Sequence, residues 1–203
     1  MPCGSLAVCL VGFVRTLGWR GVHSSLAHAL RGASSTDFFG VVSLGGHETD
    51  TAKGQWAAVT RESLEPALSL LRPVAWEDDT PVRSGPPLCH LACMRQFERL
   101  ERCGLLIQRA ELACGRRYNT VVKARPDIAF FGRNEPSLRN DTLYKDTAAG
   151  DMLVYVPRAQ FDNLTWLLSS GLVGTPSDCS ALHPKVRCDA NGTVRLRPAL
   201  MAS

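Results

Sequence analysis

An arginine and an aspartate stand two residues apart in the segment Val121–Phe131, which reads Val-Val-Lys-Ala-Arg-Pro-Asp-Ile-Ala-Phe-Phe. If the backbone stays extended, Arg125 and Asp127 project to the same side, and Pro126 favours that form. The two charges could simply form an ion pair at a strand end. Alternatively, Asp127 binds a sugar hydroxyl or a metal-diphosphate, while Arg125 contacts phosphate or orients Asp127. Both interpretations stay open at this point.

Other polar side chains follow the ends of apolar runs in the same way. In open α/β sheets, ligands bind beyond the carboxyl ends of the strands. The polar residues directly after predicted strands are therefore site candidates, together with one aspartate at a strand start. They are Arg15 and Thr16, then Glu77, Asp78 and Asp79, then Arg125 and Asp127, with Asp151 before the last predicted strand and Arg158 after it.

Apolar runs and helical spacings predict the elements that must position these residues. The predicted strands are Leu6–Val14, Asp37–Leu44, Pro73–Trp76, Tyr118–Arg125 and Met152–Val156, and the predicted helices are Val22–Leu30, Thr60–Leu71, Leu88–Cys114 and Phe161–Leu168. Strands that alternate with helices indicate an α/β fold with a mainly parallel sheet flanked by helices. We expect one such domain over residues 1–171 and an irregular tail over residues 172–203.

The longest predicted helix has an apolar stripe at steps of three and four residues. The members of the stripe are Cys89, Cys93, Phe97, Leu100, Gly104 and Ile107. Much of the solvated side of this helix is expected to consist of Glu98, Arg99, Glu101 and Arg102. Cys89 and Cys93 are predicted to face the sheet with Phe97, and Cys9 lies inside the first strand. These three cysteines are expected to be buried thiols that act as small apolar groups.

Composition and motif content exclude several classes of protein. The chain has 203 residues, with 23 Lys and Arg against 19 Asp and Glu, so its net charge is +4. This surplus is too small and too scattered to indicate a nucleic-acid-binding protein. The longest apolar run, Leu6–Val14, is shorter than the roughly 18–20 residues of a membrane span and lacks the features of a signal peptide. The sequence has no phosphate-loop, dinucleotide-binding, G-x-S-x-G or H-E-x-x-H motif.

Cysteines and glycosylation motifs leave the cellular compartment open. Cys179 and Cys188 lie in the polar tail, where they could close a short loop under oxidising conditions. A zinc site built from them and His183 would match no common ligand spacing. His183 is otherwise a candidate base or a solvated loop histidine. Three Asn-x-Thr glycosylation motifs favour a protein of the secretory lumen, whereas the missing signal peptide favours a protein that does not enter the secretory pathway. A Golgi or endoplasmic reticulum lumen stays open if the chain is a fragment of a longer protein.

The order of these segments resembles glycosyltransferase-like proteins with the GT-A nucleotide-diphospho-sugar transferase fold. Such proteins have a strand ending in G-x-x-R-T, a D-x-F strand, a long helix, the pattern Y-[DN]-x-V-[VI]-x-x-R-P-D-[IL]-x-F, and a strand with D-x-[VLMI]-x-[VI]-x-x-R. The matching segments are Gly12–Thr16, Asp37–Phe39, Tyr118–Phe130 and, loosely, Asp151–Arg158. The resemblance spans about residues 5–170, and R-P-D at Arg125–Asp127 is its most specific part.

The resemblance implies a Rossmann-like GT-A half that binds a nucleotide-sugar and transfers its sugar to a glycan or another hydroxyl acceptor. It implies donor binding by Arg15, Thr16, Arg125 and Arg158, and catalysis by Asp127 and Asp151. Mn²⁺ or Mg²⁺ would accompany the donor, although the D-x-D metal motif of the family is missing and the metal ligands stay unassigned. The acceptor half and a C-terminal base are not identifiable. The alternative is a non-catalytic α/β binding module, or a truncated relative that has lost transferase activity.

Overall fold

Alternating strands and helices form an α/β structure, as the sequence predicts. The structure is a computed structural model that describes residues 4–30, 35–44, 59–79, 91–129, 144–145, 153–162, 186–188 and 194–196. Its elements are β1 (Leu6–Phe13), α1 (Arg20–Leu30), β2 (Thr36–Ser43), α2 (Arg61–Leu71), β3 (Ala75–Asp78), α3 (Leu91–Cys114), β4 (Thr120–Ala124), β5 (Tyr144–Lys145), β6 (Leu153–Pro157), β7 (Val186–Cys188) and β8 (Val194–Leu196). Residues 158–162 are also helical.

The main sheet has six strands in the order β3-β2-β1-β4-β6-β5. β1 lies parallel to β2 and to β4, with Leu6 opposite both Thr36 and Thr120, and β2 lies parallel to β3. β6 runs antiparallel to its neighbours β4 and β5. The prediction of an α/β fold with a mainly parallel sheet is therefore confirmed for the described residues. The reversed direction of β6 sends its carboxyl end to the opposite edge from those of β1 and β4.

Alternate residues of β1 face two different layers of helices. Val8 and Leu10 pack with α1 and α2 in one core cluster, while Ala7, Cys9 and Val11 pack with α3 in the other. All five side chains are fully buried. A strand that is covered on both faces needs an almost continuous apolar run, which explains the composition of β1.

Helix α3 turns the described part of the predicted apolar stripe toward the sheet, where Leu100 and Ile107 are buried. Arg99 is only 3% exposed, so its predicted place on the solvated side is wrong. Its guanidinium lies inward because Nε donates a hydrogen bond to Asp79 Oδ2, just after β3, at 2.7 Å. An ion pair with a nearby carboxylate makes the burial of this arginine tolerable.

A disulfide bond connects the sheet to α3. It joins Cys9 to Cys103, which are 94 residues apart in the sequence, and both residues are fully buried. Burial of Cys9 is confirmed, whereas its interpretation as a thiol is wrong, because periodicity within β1 carries no information about a partner on α3. Cys89 and the side chains of Cys93 and Phe97 lie outside the described residues, so their orientation stays a prediction.

The tail contains a two-stranded antiparallel ladder rather than only irregular chain. β7 pairs with β8, with Val186 opposite Leu196 and Cys188 opposite Val194. Cys179 and His183 lie outside the described residues. The loop between Cys179 and Cys188 therefore stays a prediction.

Candidate functional site

The strand order reverses between β1 and β4. The chain passes from β1 to β2 and β3 on one side of the sheet, and then returns through α3 to place β4 on the other side of β1. In open α/β sheets, ligands bind outside the carboxyl ends of the strands at such a reversal. Arg15 and Thr16 follow β1 here, and Arg125 and Asp127 follow β4. We call this region the carboxyl edge.

The loop after β1 is a compact turn that presents Thr16. The Leu17 N–H donates to the Val14 carbonyl at 2.7 Å, and the Trp19 N–H donates to the Thr16 carbonyl at 2.9 Å. From α1, the buried His23 anchors the loop, since its Nδ1 lies 2.9 Å from the Leu17 carbonyl oxygen. A carbonyl oxygen only accepts, so Nδ1 carries the proton. These hydrogen bonds, within the loop and from α1, fix the backbone around Thr16.

Gly12 lets β1 turn into this loop beside β4. Its φ is 129°, a conformation that residues with a Cβ rarely adopt. A Cβ at this position would lie 3.7 Å from Pro126 Cδ, which is ordinary contact. The backbone conformation, rather than lack of space, therefore requires glycine here. The positive φ therefore explains why the first position of the G-x-x-R-T pattern, Gly12, is a glycine.

Arg125 and Asp127 form a two-point ion pair. Arg125 Nε donates to Asp127 Oδ1 at 3.0 Å, and Nη2 donates to Oδ2 at 2.8 Å. The Asp127 side chain is 7% exposed and that of Arg125 is 31% exposed, so the carboxylate is the better shielded partner. The backbone at Pro126 and Asp127 is a turn, and the expectation of an extended segment is wrong. The two side chains meet because the flexible arginine reaches its partner across the turn.

Thr16 joins the two strand ends. Its hydroxyl donates to the Asp127 backbone carbonyl at 3.0 Å, so the loop after β1 contacts the turn after β4 directly. Arg15 is the next residue to Thr16, and its Cζ lies 4.7 Å from the centroid of the Phe13 ring. The structure therefore brings Arg15, Thr16, Arg125 and Asp127 to one edge of the sheet.

Asp151 lies outside the described residues. β6 begins two residues later at Leu153, which is paired with Ala124, the last residue of β4. The predicted approach of Asp151 to Asp127 therefore stays a prediction.

Arg158 lies at the other edge of the sheet, because β6 is antiparallel and its last residue pairs with Thr120, the first residue of β4. Its Nε and Nη2 each donate to Glu111 at 2.9 Å, and Nη1 donates to Asp162 at 2.6 Å. Burial alone would lower the pKa of Arg158, but its hydrogen bonds to Glu111 and Asp162 outweigh burial and raise the pKa. The structure thus places Arg158 in a buried ion-pair cluster, away from the other candidates.

A second polar contact at this opposite edge joins two further segments of the resemblance. The Tyr118 hydroxyl donates to Asp37 Oδ2 at 2.8 Å, and the Gly4 N–H donates to the same oxygen at 2.7 Å. Burial, and then the hydrogen bond to Asp37, raise the pKa of Tyr118. The D-x-F and Y-[DN] segments thus meet in a contact that connects the start of β2 to the start of β4.

The acidic residues around the end of β3 pair with arginines of α3, although Glu77 and Asp78 lie within the strand rather than after it as the sequence predicts. Asp79 accepts from both Arg99 and Arg102, and Glu77 accepts from Arg102 Nη2 at 2.8 Å, while Asp78 is exposed. Sequence reasoning missed these partners because it assigned both arginines to the solvated side of the helix. The available signal was their spacing of three residues, which puts them on one helix face.

The carboxyl edge thus combines two guanidinium groups, a hydroxyl and one shielded carboxylate. Guanidinium groups suit phosphate oxygens because their N–H donors form a planar fork. Among the residues that the structure describes, no group of three or more His, Cys, Asp or Glu side chains is arranged to hold a metal ion.

No family profile matches the sequence, and no well-characterised protein matches it significantly. Across the described ranges, no helix has the length and apolar character needed to cross a membrane.

Proposed function

We propose that this chain is a glycosyltransferase-like protein that binds a nucleotide-sugar at the carboxyl edge, between β1 and β4. The observation that carries the proposal is the direct contact of the two strand ends, where the Thr16 hydroxyl donates to the Asp127 carbonyl at 3.0 Å. This contact brings the polar residues of both strand ends together at the reversal of strand order, where open α/β sheets bind their ligands. The residues that the sequence resemblance implicates include these, together with Asp151, which lies outside the described residues, and Arg158, which lies at the opposite edge.

Transfer breaks the bond between the anomeric carbon of the sugar and a diphosphate oxygen, which leaves with the electron pair. A bond from an acceptor hydroxyl oxygen to that carbon forms, and the hydroxyl proton passes to a base. The developing charge on the diphosphate requires fixed positive groups. Arg15 and Arg125 are the candidates for this role, and the Thr16 hydroxyl can bind a phosphate or sugar oxygen.

The carboxylate of Asp127 does not fit a metal ligand in this arrangement. Both of its oxygens accept hydrogen bonds from Arg125, and the side chain is 7% exposed. We therefore derive no step through a metal ion. Asp127 instead holds Arg125 in a defined orientation through these two hydrogen bonds.

A second candidate is a module that binds the nucleotide-sugar without transferring it. The same ion pair favours this function, because a carboxylate engaged at both oxygens is a poor base or sugar ligand until Arg125 moves. Release of free nucleoside diphosphate from the nucleotide-sugar, with and without an acceptor, distinguishes the two functions. A transferase produces it, and a binding module does not.

The binding claim is tested by a thermal-shift screen of nucleotide-sugars, with and without Mn²⁺. A ligand at about 100 times its dissociation constant stabilises the fold by roughly 2.7 kcal/mol, which is a resolvable shift. Arg125→Gln should abolish the shift. Arg117→Gln is the matched control, since Arg117 forms an exposed pair with Asp162 at the opposite edge, and its shift should match that of the wild type. If no nucleotide-sugar raises the wild-type midpoint, the proposed function is wrong.

A further inference from the structure

Phe13, the last residue of β1, lies beneath two guanidinium groups. The Cζ atom of Arg15 is 4.7 Å from the ring centroid, and that of Arg99 is 5.2 Å from it. Both distances are within the range of a cation–π interaction, in which the negative face of the ring attracts the cation. The ring therefore connects a residue of the carboxyl edge to a residue of α3.

Arg99 is buried inside the protein, where it forms an ion pair with Asp79. Its side chain is 4% exposed and pairs with Asp79 at 2.7 Å. The Asp79 N–H donates to the Val42 carbonyl at 2.6 Å, so the acidic partner is itself tied to the backbone of β2. The guanidinium of Arg99 is therefore shielded from solvent. One of its contacts is with the ring of Phe13, the last residue of β1.

We infer that Phe13 is a positioning residue for Arg15, and that Arg99 and Asp79 fix the ring in turn. The inference rests on the proposed function, in which Arg15 contacts the diphosphate of a nucleotide-sugar. Arginine has a long side chain with several rotatable bonds, and a ligand that must order it loses affinity. A ring that holds the guanidinium in advance removes that cost. The series Asp79–Arg99–Phe13–Arg15 thereby links the end of β3 to the ligand.

The first test needs no ligand. Phe13→Leu, Arg15→Met and the double variant form a double-mutant cycle on chemical unfolding, and both substitutions keep most of the apolar volume. Arg15→Met should raise the unfolding equilibrium constant in both backgrounds. We expect the factor by which it does so to be about two- to fivefold smaller in the Phe13→Leu background than in the wild type. Additive effects within error would overturn the contact between the ring and Arg15.

The second test measures binding of uridine diphosphate by calorimetry. Phe13→Leu should weaken binding about three- to tenfold, because Arg15 must then be ordered by the ligand. Phe13→Trp keeps an aromatic face, so its affinity should stay within about twofold of the wild type. In the Arg15→Met background, Phe13→Leu should have no further effect on affinity. If the ring had a merely structural role, Phe13→Leu and Phe13→Trp would lose affinity equally, or Phe13→Leu would still lower the affinity in the Arg15→Met background.

The two tests separate this inference from the proposed function. If the wild type binds neither uridine diphosphate nor another nucleoside diphosphate, the proposed function and the ligand-orienting role of Phe13 both fail. The double-mutant cycle still shows in that case whether the ring of Phe13 interacts with Arg15. If the wild type binds and Phe13→Leu binds equally well, the positioning role fails and the proposed function stands.

Discussion

Replacing Asp127 with Asn removes the charge that holds Arg125. The asparagine oxygen can still accept one hydrogen bond, but its amide group presents N–H donors to the N–H donors of Arg125. In the wild type, the guanidinium makes two hydrogen bonds of 3.0 and 2.8 Å to the carboxylate. Asp127→Asn therefore leaves one of the two contacts unfavourable.

The expected loss of stability follows from the exposure of the two partners. Hydrogen bonds to charged groups contribute about 1.5–3 kcal/mol. Arg125 is 31% exposed, so water can replace part of the lost contact and the full penalty of a buried orphan charge does not apply. We expect a loss of about 1.5–3 kcal/mol, or roughly 3–12 °C in the melting midpoint for a chain of this size.

The assay measures the melting midpoint and the affinity for a nucleotide-sugar on the same folded sample. Asp162→Asn is a matched control, since Asp162 pairs with Arg158 and Arg117 at the opposite edge. Both variants should lose stability, but only Asp127→Asn should weaken binding, by about tenfold or more. If both lose stability and neither loses affinity, the ion pair is purely structural and the assignment of the site is refuted.

Further predictions concern contacts of the fold outside the carboxyl edge. Tyr118→Phe removes the hydroxyl that donates to Asp37 and should cost about 1–3 kcal/mol in urea unfolding. Burial, and then a neighbouring glutamate, raise the pKa of Glu101, so its ionised form is disfavoured in the folded state. Glu101→Gln should therefore melt higher than the wild type at neutral pH, and the difference should vanish as the pH falls below the pKa that the group has when unfolded. Replacing both Cys9 and Cys103 with Ala opens a loop of 94 residues and should cost about 4–5 kcal/mol.

Each of these expectations has a contradicting result. An unchanged unfolding free energy for Tyr118→Phe would show that Asp37 needs no second donor. A stabilising effect of Glu101→Gln that persists at low pH would have a cause other than the carboxylate charge. Alkylation of Cys9 and Cys103 in unreduced, denatured protein would show that they are free thiols.

The sequence was sufficient for the elements around the carboxyl edge and for its polar residues. β1 is a near-continuous apolar run followed by Arg15 and Thr16, and β4 is a run of β-formers followed by Arg125 and Asp127. Both patterns depend on neighbouring residues alone, so local reasoning recovers them. It also offered the ion pair of Arg125 and Asp127 as one of two interpretations, and that pair forms.

Features that depend on strand direction or on distant partners were not accessible from the sequence. Apolar runs do not specify whether a strand is parallel, so Arg158 was assigned to the same edge as Arg125, although the antiparallel β6 places it at the other. The burial of Arg99 depends on Asp79, which is 20 residues earlier in the chain. Periodicity within α3 identifies Arg99 as a polar residue, but it does not show that the carboxylate of Asp79 lies on the side of the helix that faces the protein interior.

The most direct test of the central claim is hydrogen–deuterium exchange with and without the nucleotide-sugar that gives the largest thermal shift. Binding at the carboxyl edge should slow exchange in residues 14–19 after β1 and residues 125–129 after β4, because the ligand shields both segments and suppresses their opening. Residues 116–119 and 158–162, at the opposite edge, should exchange at the same rate in both samples. Slowed exchange confined to the opposite edge, or no slowing in either segment of the carboxyl edge, would contradict the account.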